Sequence, residues 1–163
     1  MSRSKPIRVP RYELCLKRVG TISLPLLRVS TPMDAAEVIY HAIGMSPVEV
    51  ALLVGCNGQG HVVGLSRIAS TASTSVLHLD ACGLVRAALN FPTAVSFIWA
   101  HNHPSGDPYP SSADFTVFRK VRELFKLVNL PLQDQVIVCP DPERFWSETW
   151  HGTKGHTTEN PKT

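Results

Sequence analysis

The sequence contains no long apolar run. Hydrophobic residues make up 44% of its 163 positions, yet no stretch reaches the roughly 18 consecutive apolar residues that a membrane-spanning helix needs. The opening residues are not followed by the apolar segment of a signal peptide. We therefore expect a soluble cytoplasmic protein that does not contact membranes, and its length fits one compact domain.

Cysteine pairs and nucleotide-binding loops are also missing. The four cysteines stand singly, with no Cys-x-x-Cys pair, at positions 15, 56, 82 and 139. That spacing excludes a disulfide framework and a cysteine-based zinc knuckle, so we predict buried free thiols. The chain has no Gly-x-Gly-x-x-Gly segment and no Walker lysine loop, and we expect no nucleotide cofactor.

Charge is unevenly distributed. Residues 1–30 hold seven of the 16 Lys and Arg residues and one of the 13 acidic residues, a net charge of +6, while the whole chain carries +3. A basic arm of this kind can contact nucleic acid through its phosphates. A solvated edge segment is the favoured interpretation, because aromatic residues do not alternate with the charges and no nucleic-acid motif accompanies them.

Apolar patterning predicts one α/β domain in which strands and helices alternate. Thr31, Pro32 and Asp34 form an expected helix start, with Gly44 as its stop. Asn57-Gly58 between two β-rich runs predicts a hairpin. The predicted helices after the first are 77–89 and 115–128, and the predicted strands are 11–19, 48–54, 61–68, 94–100 and 135–139.

The chemistry of the sequence is concentrated after the predicted strand 94–100. His101 and His103 follow that strand, and Asp114 lies at the start of the next predicted helix. Two imidazoles and one carboxylate suit Zn²⁺ with an open fourth position, which is typical of catalytic zinc. Water on such an ion has a pKa of about 7 and becomes a usable nucleophile.

Each part of this pattern also has an ordinary structural interpretation. A His-x-His pair alone is a weak signal, and Ser111 with Asp114 is also a capping box that satisfies backbone donors. We favour the metal site because a buried strand, two histidines, a Pro/Gly-rich loop and a capped helix occur together. The two interpretations of Asp114 are compatible, since a helix N-terminus favours an ionised carboxylate.

The segment resembles a known family. His101-x-His103-Pro104 with Ser111-x-x-Asp114 matches the JAMM motif of the JAB/MPN metalloprotease superfamily. The sequence of residues 101–111 is similar to that of the RadC branch, whose members are often labelled DNA repair proteins. The resemblance implies an α/β fold with a curved mixed sheet flanked by helices, as in cytidine deaminases, and one zinc ion held by His101, His103 and Asp114.

The resemblance also implies the catalytic residues. It assigns Glu49, at the start of an apolar strand, as general base, with Glu37 as a fallback that the helix pattern turns outward. It assigns Ser111 to the oxyanion of the tetrahedral intermediate. The expected substrate is a peptide or protein, cut at a peptide, isopeptide or related amide bond. The expected boundaries are a basic arm with an edge strand (1–29), the JAB/MPN domain (30–150) and a polar tail (151–163).

Some positions depart from the RadC pattern. The arm is too short for the helix-hairpin-helix region that most RadC proteins carry, and Asp134-Gln135 stands where the family has Asp-His. Ser70-Thr71 replaces the Gly-Thr that RadC proteins usually have after the second strand, and their usual Pro-Arg-Glu is missing around residues 81–83. None of these changes affects the expected ligands. The alternative function is a DNA-repair or mobile-element-associated nucleic-acid accessory protein, with weak contacts through the arm and a structural or vestigial metal site.

Overall fold

The computed structural model describes residues 19–70 and 80–152 and shows a mixed five-stranded sheet with helices on both faces. The strands are β1 (Val50–Cys56), β2 (Val62–Ser70), β3 (Ser96–Asn102), β4 (Leu132–Val138) and β5 (Phe145–Ser147). The helices are α1 (Pro32–Ile39), α2 (Ala81–Leu89), α3 (Ser112–Leu127) and α4 (Glu148–His151). The expected α/β class with a mixed sheet is confirmed.

The sheet order is β2-β1-β3-β4-β5. Strands β3 and β4 are parallel, and the other neighbouring pairs are antiparallel. Every residue of β1 and of β3 is buried, as expected for strands that are covered on both faces. Both strands lie at the centre of the sheet.

Two hydrophobic cores lie on opposite faces of the sheet, because successive strand residues point to opposite sides. One core joins α1 to strand residues that include Leu52 and Ala100. The other joins α2 and α3 to strand residues that include Leu53 and Trp99. Odd-numbered residues of β3 therefore face α3, and even-numbered ones face α1.

The first helix begins where the sequence predicts. The Thr31 hydroxyl accepts a hydrogen bond from the Asp34 amide, and the Asp34 carboxylate accepts one from the Thr31 amide, with Pro32 at the first helical position. After Ile39 the chain continues as a π-helical turn through Gly44. The predicted capping box and the predicted stop are confirmed.

The predicted hairpin is also confirmed, with strands that start later than expected. The Asn57 side chain accepts hydrogen bonds from the backbone N–H groups of Gln59 and His61, which closes the turn between β1 and β2. Just before α1, the backbone of Arg28 pairs with that of His61 in an isolated antiparallel β-bridge beside this turn. Residues 11–18 of the predicted edge strand and residues 153–163 of the expected polar tail lie outside the described residues, while His151 is the last residue of α4.

Helix α2 starts later than the sequence pattern indicates. The Asp80 side chain accepts a hydrogen bond from the Gly83 amide and caps a helix that begins at Ala81. Gly83 is thus in the first turn, not the middle, of the helix. The expectation of buried thiols is confirmed for Cys56 and Cys139 and is wrong for Cys82, which is exposed at this helix start. Cys15 lies outside the described residues.

A buried polar network fixes the C-terminal elements to β4. The Ser147 hydroxyl donates to Asp134, while the Gln135 amide donates to Glu148, which also pairs with Arg122 of α3. Gln135, one of the positions that depart from the RadC pattern, is therefore part of the contact that anchors α4.

Within 19–70 and 80–152, no helix combines the length and apolarity that crossing a bilayer requires.

Close packing over the hairpin gives a stability prediction. Gly55 and Gly64 are partners across β1 and β2, and a Cβ on Gly64 would overlap the Phe91 ring. We expect Gly64→Ala to lower the free energy of unfolding by about 1–3 kcal/mol, the usual range for overpacking. Gly58→Ala is the control, because nothing lies within 4 Å of its added Cβ. Equal urea midpoints for the two variants would contradict this packing.

Candidate metal centre

Strand β3 carries the first histidine to the edge of the sheet. The strand extends through His101 and Asn102, two residues further than the predicted strand. The His103 amide then donates to the Val138 carbonyl, which keeps the chain against β4 after β3 ends. His101 and His103 point to the same face because they are two residues apart along an extended chain.

Helix α3 brings the carboxylate to the same edge. Ser111 is its N-cap, and Asp114 lies in the first turn. The Ser111 hydroxyl and amide both donate to Asp114 Oδ2, at 2.6 and 2.7 Å, and the Asp114 amide donates back to Ser111 Oγ at 3.2 Å. This capping box restricts the orientation of the Asp114 side chain.

The three expected ligands lie together. His101 Nε2 is 3.0 Å from His103 Nε2 and 3.2 Å from Asp114 Oδ1, and His103 Nε2 is 3.6 Å from Asp114 Oδ2. One ligand atom from each residue lies within 4.8 Å of the other two. The side chain of His101 is 1% exposed, and those of His103 and Asp114 are 12% and 14% exposed.

Both rings direct Nε2 toward the cluster. His103 Nδ1 lies 2.8 Å from the Asp107 carbonyl oxygen, which can only accept, so Nδ1 carries the proton and Nε2 is left as a potential ligand. His101 Nδ1 is buried and has no hydrogen-bond partner in the described ranges. The polar contacts of the His101 ring are therefore made through Nε2.

The electrostatics of the cluster favour a charged carboxylate. Burial acts to raise the pKa of Asp114, but hydrogen bonds from His101, His103 and Ser111 and the charge of His101 hold it far below its usual range. Burial acts to lower the pKa of His103, yet its bonds to Asp114 and Asp107, with the charge of Glu49, leave it raised. The cluster therefore favours a positive charge next to the Asp114 carboxylate.

The spacing of these atoms fits a bound transition metal. Ligands about 2.0–2.1 Å from a tetrahedral zinc ion stand about 3.3 Å from one another. The 3.0 Å between the two Nε2 atoms and the 3.2 Å between His101 Nε2 and Asp114 Oδ1 lie close to that value. The group could therefore hold a metal ion. Two histidines and one carboxylate also suit Fe²⁺, so elemental analysis must identify the metal.

Glu49 lies at the same edge of the sheet. The β1–β3 ladder ends with Ala51 paired to His101, and Glu49 precedes Ala51 by two residues, so it lies at the end of β1 that is next to the two histidines. Glu49 is half-buried, and its charge contributes to the raised pKa of His103. Glu37, the fallback base, is exposed on α1, as its helix position predicts.

The sequence did not indicate the role of Arg144. Its guanidinium donates to the Gly106 carbonyl at 3.0 Å and lies 3.8 Å from Asp107 Oδ1. This contact holds the loop whose Asp107 carbonyl fixes the His103 ring. No local pattern identifies Arg144, because it contacts residues 38 positions earlier in the chain.

The fold and the cluster define an α/β domain with a candidate metal site of two histidines and one carboxylate at a sheet edge. The family model described as RadC-like JAB domain matches residues 29–149. The chain belongs to the RadC-like JAB domain family.

The chain is also similar to several curated bacterial proteins. A UPF0758 protein of Clostridium perfringens is 30% identical over 122 residues, which cover 75% of this chain and 53% of the relative. Those of Desulfitobacterium hafniense and Neisseria gonorrhoeae are 30% and 29% identical, over 76% and 75% of this chain and 54% and 53% of their own lengths. The chain spans about half the length of these relatives.

The cluster predicts the metal content of the protein. We expect one divalent ion per chain, with His103→Ala leaving the protein nearly metal-free because the removed ring supplies one of three ligands. Elemental analysis after dialysis measures both. His41→Ala, which removes an exposed histidine outside the cluster, keeps the wild-type content. Equal metal content in the His103 and His41 variants would contradict the site.

Arg144 should support the affinity for that ion. Groups that orient a histidine ligand typically change metal affinity by 10- to 100-fold, and Arg144 is about half exposed. We therefore expect Arg144→Met to weaken Zn²⁺ binding by about tenfold, measured by competition with a chromogenic chelator. Arg119→Met, on the exposed face of α3, is the matched control. An unchanged affinity in Arg144→Met would show that the loop holds His103 unaided.

Proposed function

We propose that the protein is a zinc-dependent hydrolase of the JAMM type. Its substrate class is a peptide or protein, and the bond cut is a peptide, isopeptide or related amide bond. The observation that carries the proposal is the meeting of His101, His103 and Asp114 at one sheet edge. Glu49, whose charge acts on His103, precedes the strand that pairs with the histidine strand there. A metal-dependent hydrolase of this type uses both parts, a Lewis-acid site and a carboxylate that serves as general base.

Three residues are assigned to hold the ion. His101 and His103 present Nε2, and Asp114 supplies the negative charge that balances part of the ion's charge. When bound, zinc brings the pKa of water from about 15.7 to about 7 and polarises a carbonyl oxygen. The burial of His101 keeps this end of the site dry, which strengthens its electrostatics.

Glu49 is assigned the proton transfers. Its carboxylate takes a proton from the attacking water and then gives that proton to the leaving amine, so the same group serves as base and as acid. Its half-buried position at the start of β1 leaves it open to substrate. No second carboxylate is needed for this cycle, because the proton that Glu49 gains is the one that it returns.

Ser111 is assigned to the oxyanion of the tetrahedral intermediate. In the structure its hydroxyl donates to Asp114 Oδ2 at 2.6 Å. Ser111 must therefore exchange that hydrogen bond for one to the substrate oxygen as charge develops there. An oxyanion donor of this kind contributes about 3 kcal/mol to transition-state stabilisation.

Glu49→Gln tests the mechanism directly. The amide keeps the size of the side chain but cannot accept the proton, so we expect kcat to fall by about 10²- to 10⁴-fold with metal content unchanged. Hydrolysis is measured on a panel of peptide, isopeptide and simple amide substrates. Glu37→Gln, an exposed glutamate on α1, is the matched control and keeps wild-type activity. Background hydrolysis of the whole panel by the wild type would refute the proposed function.

A further inference from the structure

Asn102, the residue between the two histidines, makes three hydrogen bonds to another segment. Its side chain accepts from the Val50 amide at 2.8 Å and donates to the carbonyls of Ser46 and Val48 at 3.2 and 3.1 Å. It is fully buried. These bonds use the amide oxygen and both of the hydrogens that an asparagine side chain carries.

The bonded backbone groups lie on both sides of Glu49. Backbone pairing between β1 and β3 ends at Ala51 and His101, and the Asn102 side chain continues the connection at Val50 and Val48. Strand residues alternate between faces, so Asn102 points toward the α1 side while His101 points toward the α3 side, where the ligands lie. The side chain thus fixes the Glu49 backbone without occupying the space beside the ligands.

We infer that Asn102 is a positioning residue that holds the general base at the metal centre. The inference rests on the proposed function, because it concerns the distance between Glu49 and the ligands. Asn102 follows His101 directly and precedes His103 directly, so any shift of the ligand strand moves its side chain as well. The same side chain carries the Glu49 segment with it, and base and ligands keep their separation.

The β1 strand supplies a matched control for this role. At its other end the Asn57 side chain also accepts hydrogen bonds from two backbone amides. Asn57→Ala therefore loosens a similar cap on the same strand, beyond Cys56 and away from the metal-centre end. Asn102→Ala removes the three bonds around Glu49 and leaves both histidines in the sequence.

The experiment compares both variants with and without Glu49→Gln. We expect Asn102→Ala to lower kcat by about 10- to 100-fold, because a displacement of about 1 Å at a reacting group can cost up to about 10²-fold. KM and Zn²⁺ affinity stay within about twofold, and Asn102→Ala has no further effect on kcat in the Glu49→Gln background. Asn57→Ala loses thermal stability but keeps kcat. A purely structural role for Asn102 would lower kcat equally in both backgrounds and would overturn the inference, as would a parallel loss of Zn²⁺ affinity.

A second measurement does not depend on activity. With Co²⁺ bound, the Glu49 amide should show a pseudocontact shift in the NMR spectrum that reports its position relative to the ion. We expect that shift to change in Asn102→Ala and to persist in Asn57→Ala. If the wild type binds Co²⁺ but hydrolyses nothing, the proposed function fails while this shift still decides the position of Glu49. An unchanged shift in Asn102→Ala overturns the inference.

Discussion

The site depends on the contact between Asp114 and the two imidazole rings, and the chain connectivity makes that contact possible. Strands β3 and β4 are parallel and are joined by α3. In such a unit the helix must start near the carboxyl end of the first strand. His101 and His103 occupy that strand end, and Asp114 occupies the first turn of that helix, so the topology alone brings them to one edge. The helix dipole also favours the carboxylate charge.

Much of the site could be predicted because its parts are close in sequence. The order of strand, Pro/Gly-rich loop and capped helix is local, and it specified His101, His103 and Asp114 without the structure. Glu49 required the family resemblance, since its place near the histidines depends on β1 pairing with β3. The sequence pattern starts α2 too early for a local reason. The Asp80 side chain caps the helix by accepting from the Gly83 amide, so the helix begins at Ala81. Apolar periodicity carries no information about such a side-chain cap.

The contacts that sequence reasoning missed are long-range. Asn102 bonds to Val50 from 52 positions away, and Arg144 bonds to Gly106 from 38 positions away. Neither residue type signals its partner, because asparagine and arginine make hydrogen bonds in many settings. These contacts orient the segments that carry Glu49 and His103, so sequence could identify the reacting groups but not what holds them in register.

The capping box and the metal site are two uses of the same atoms. Asp114 Oδ2 accepts from the Ser111 amide and hydroxyl while the carboxylate faces both rings. A change at either residue therefore alters the helix start, whose cap contributes about 1 kcal/mol, together with the ligand set.

The departure from the RadC pattern at Gln135 has a different effect. Gln135 pairs with Trp99, two residues before His101 and thus about 6–7 Å along the strand from it. Its amide anchors α4 through Glu148, so that substitution changes how the C-terminal helix is held and leaves the metal edge intact.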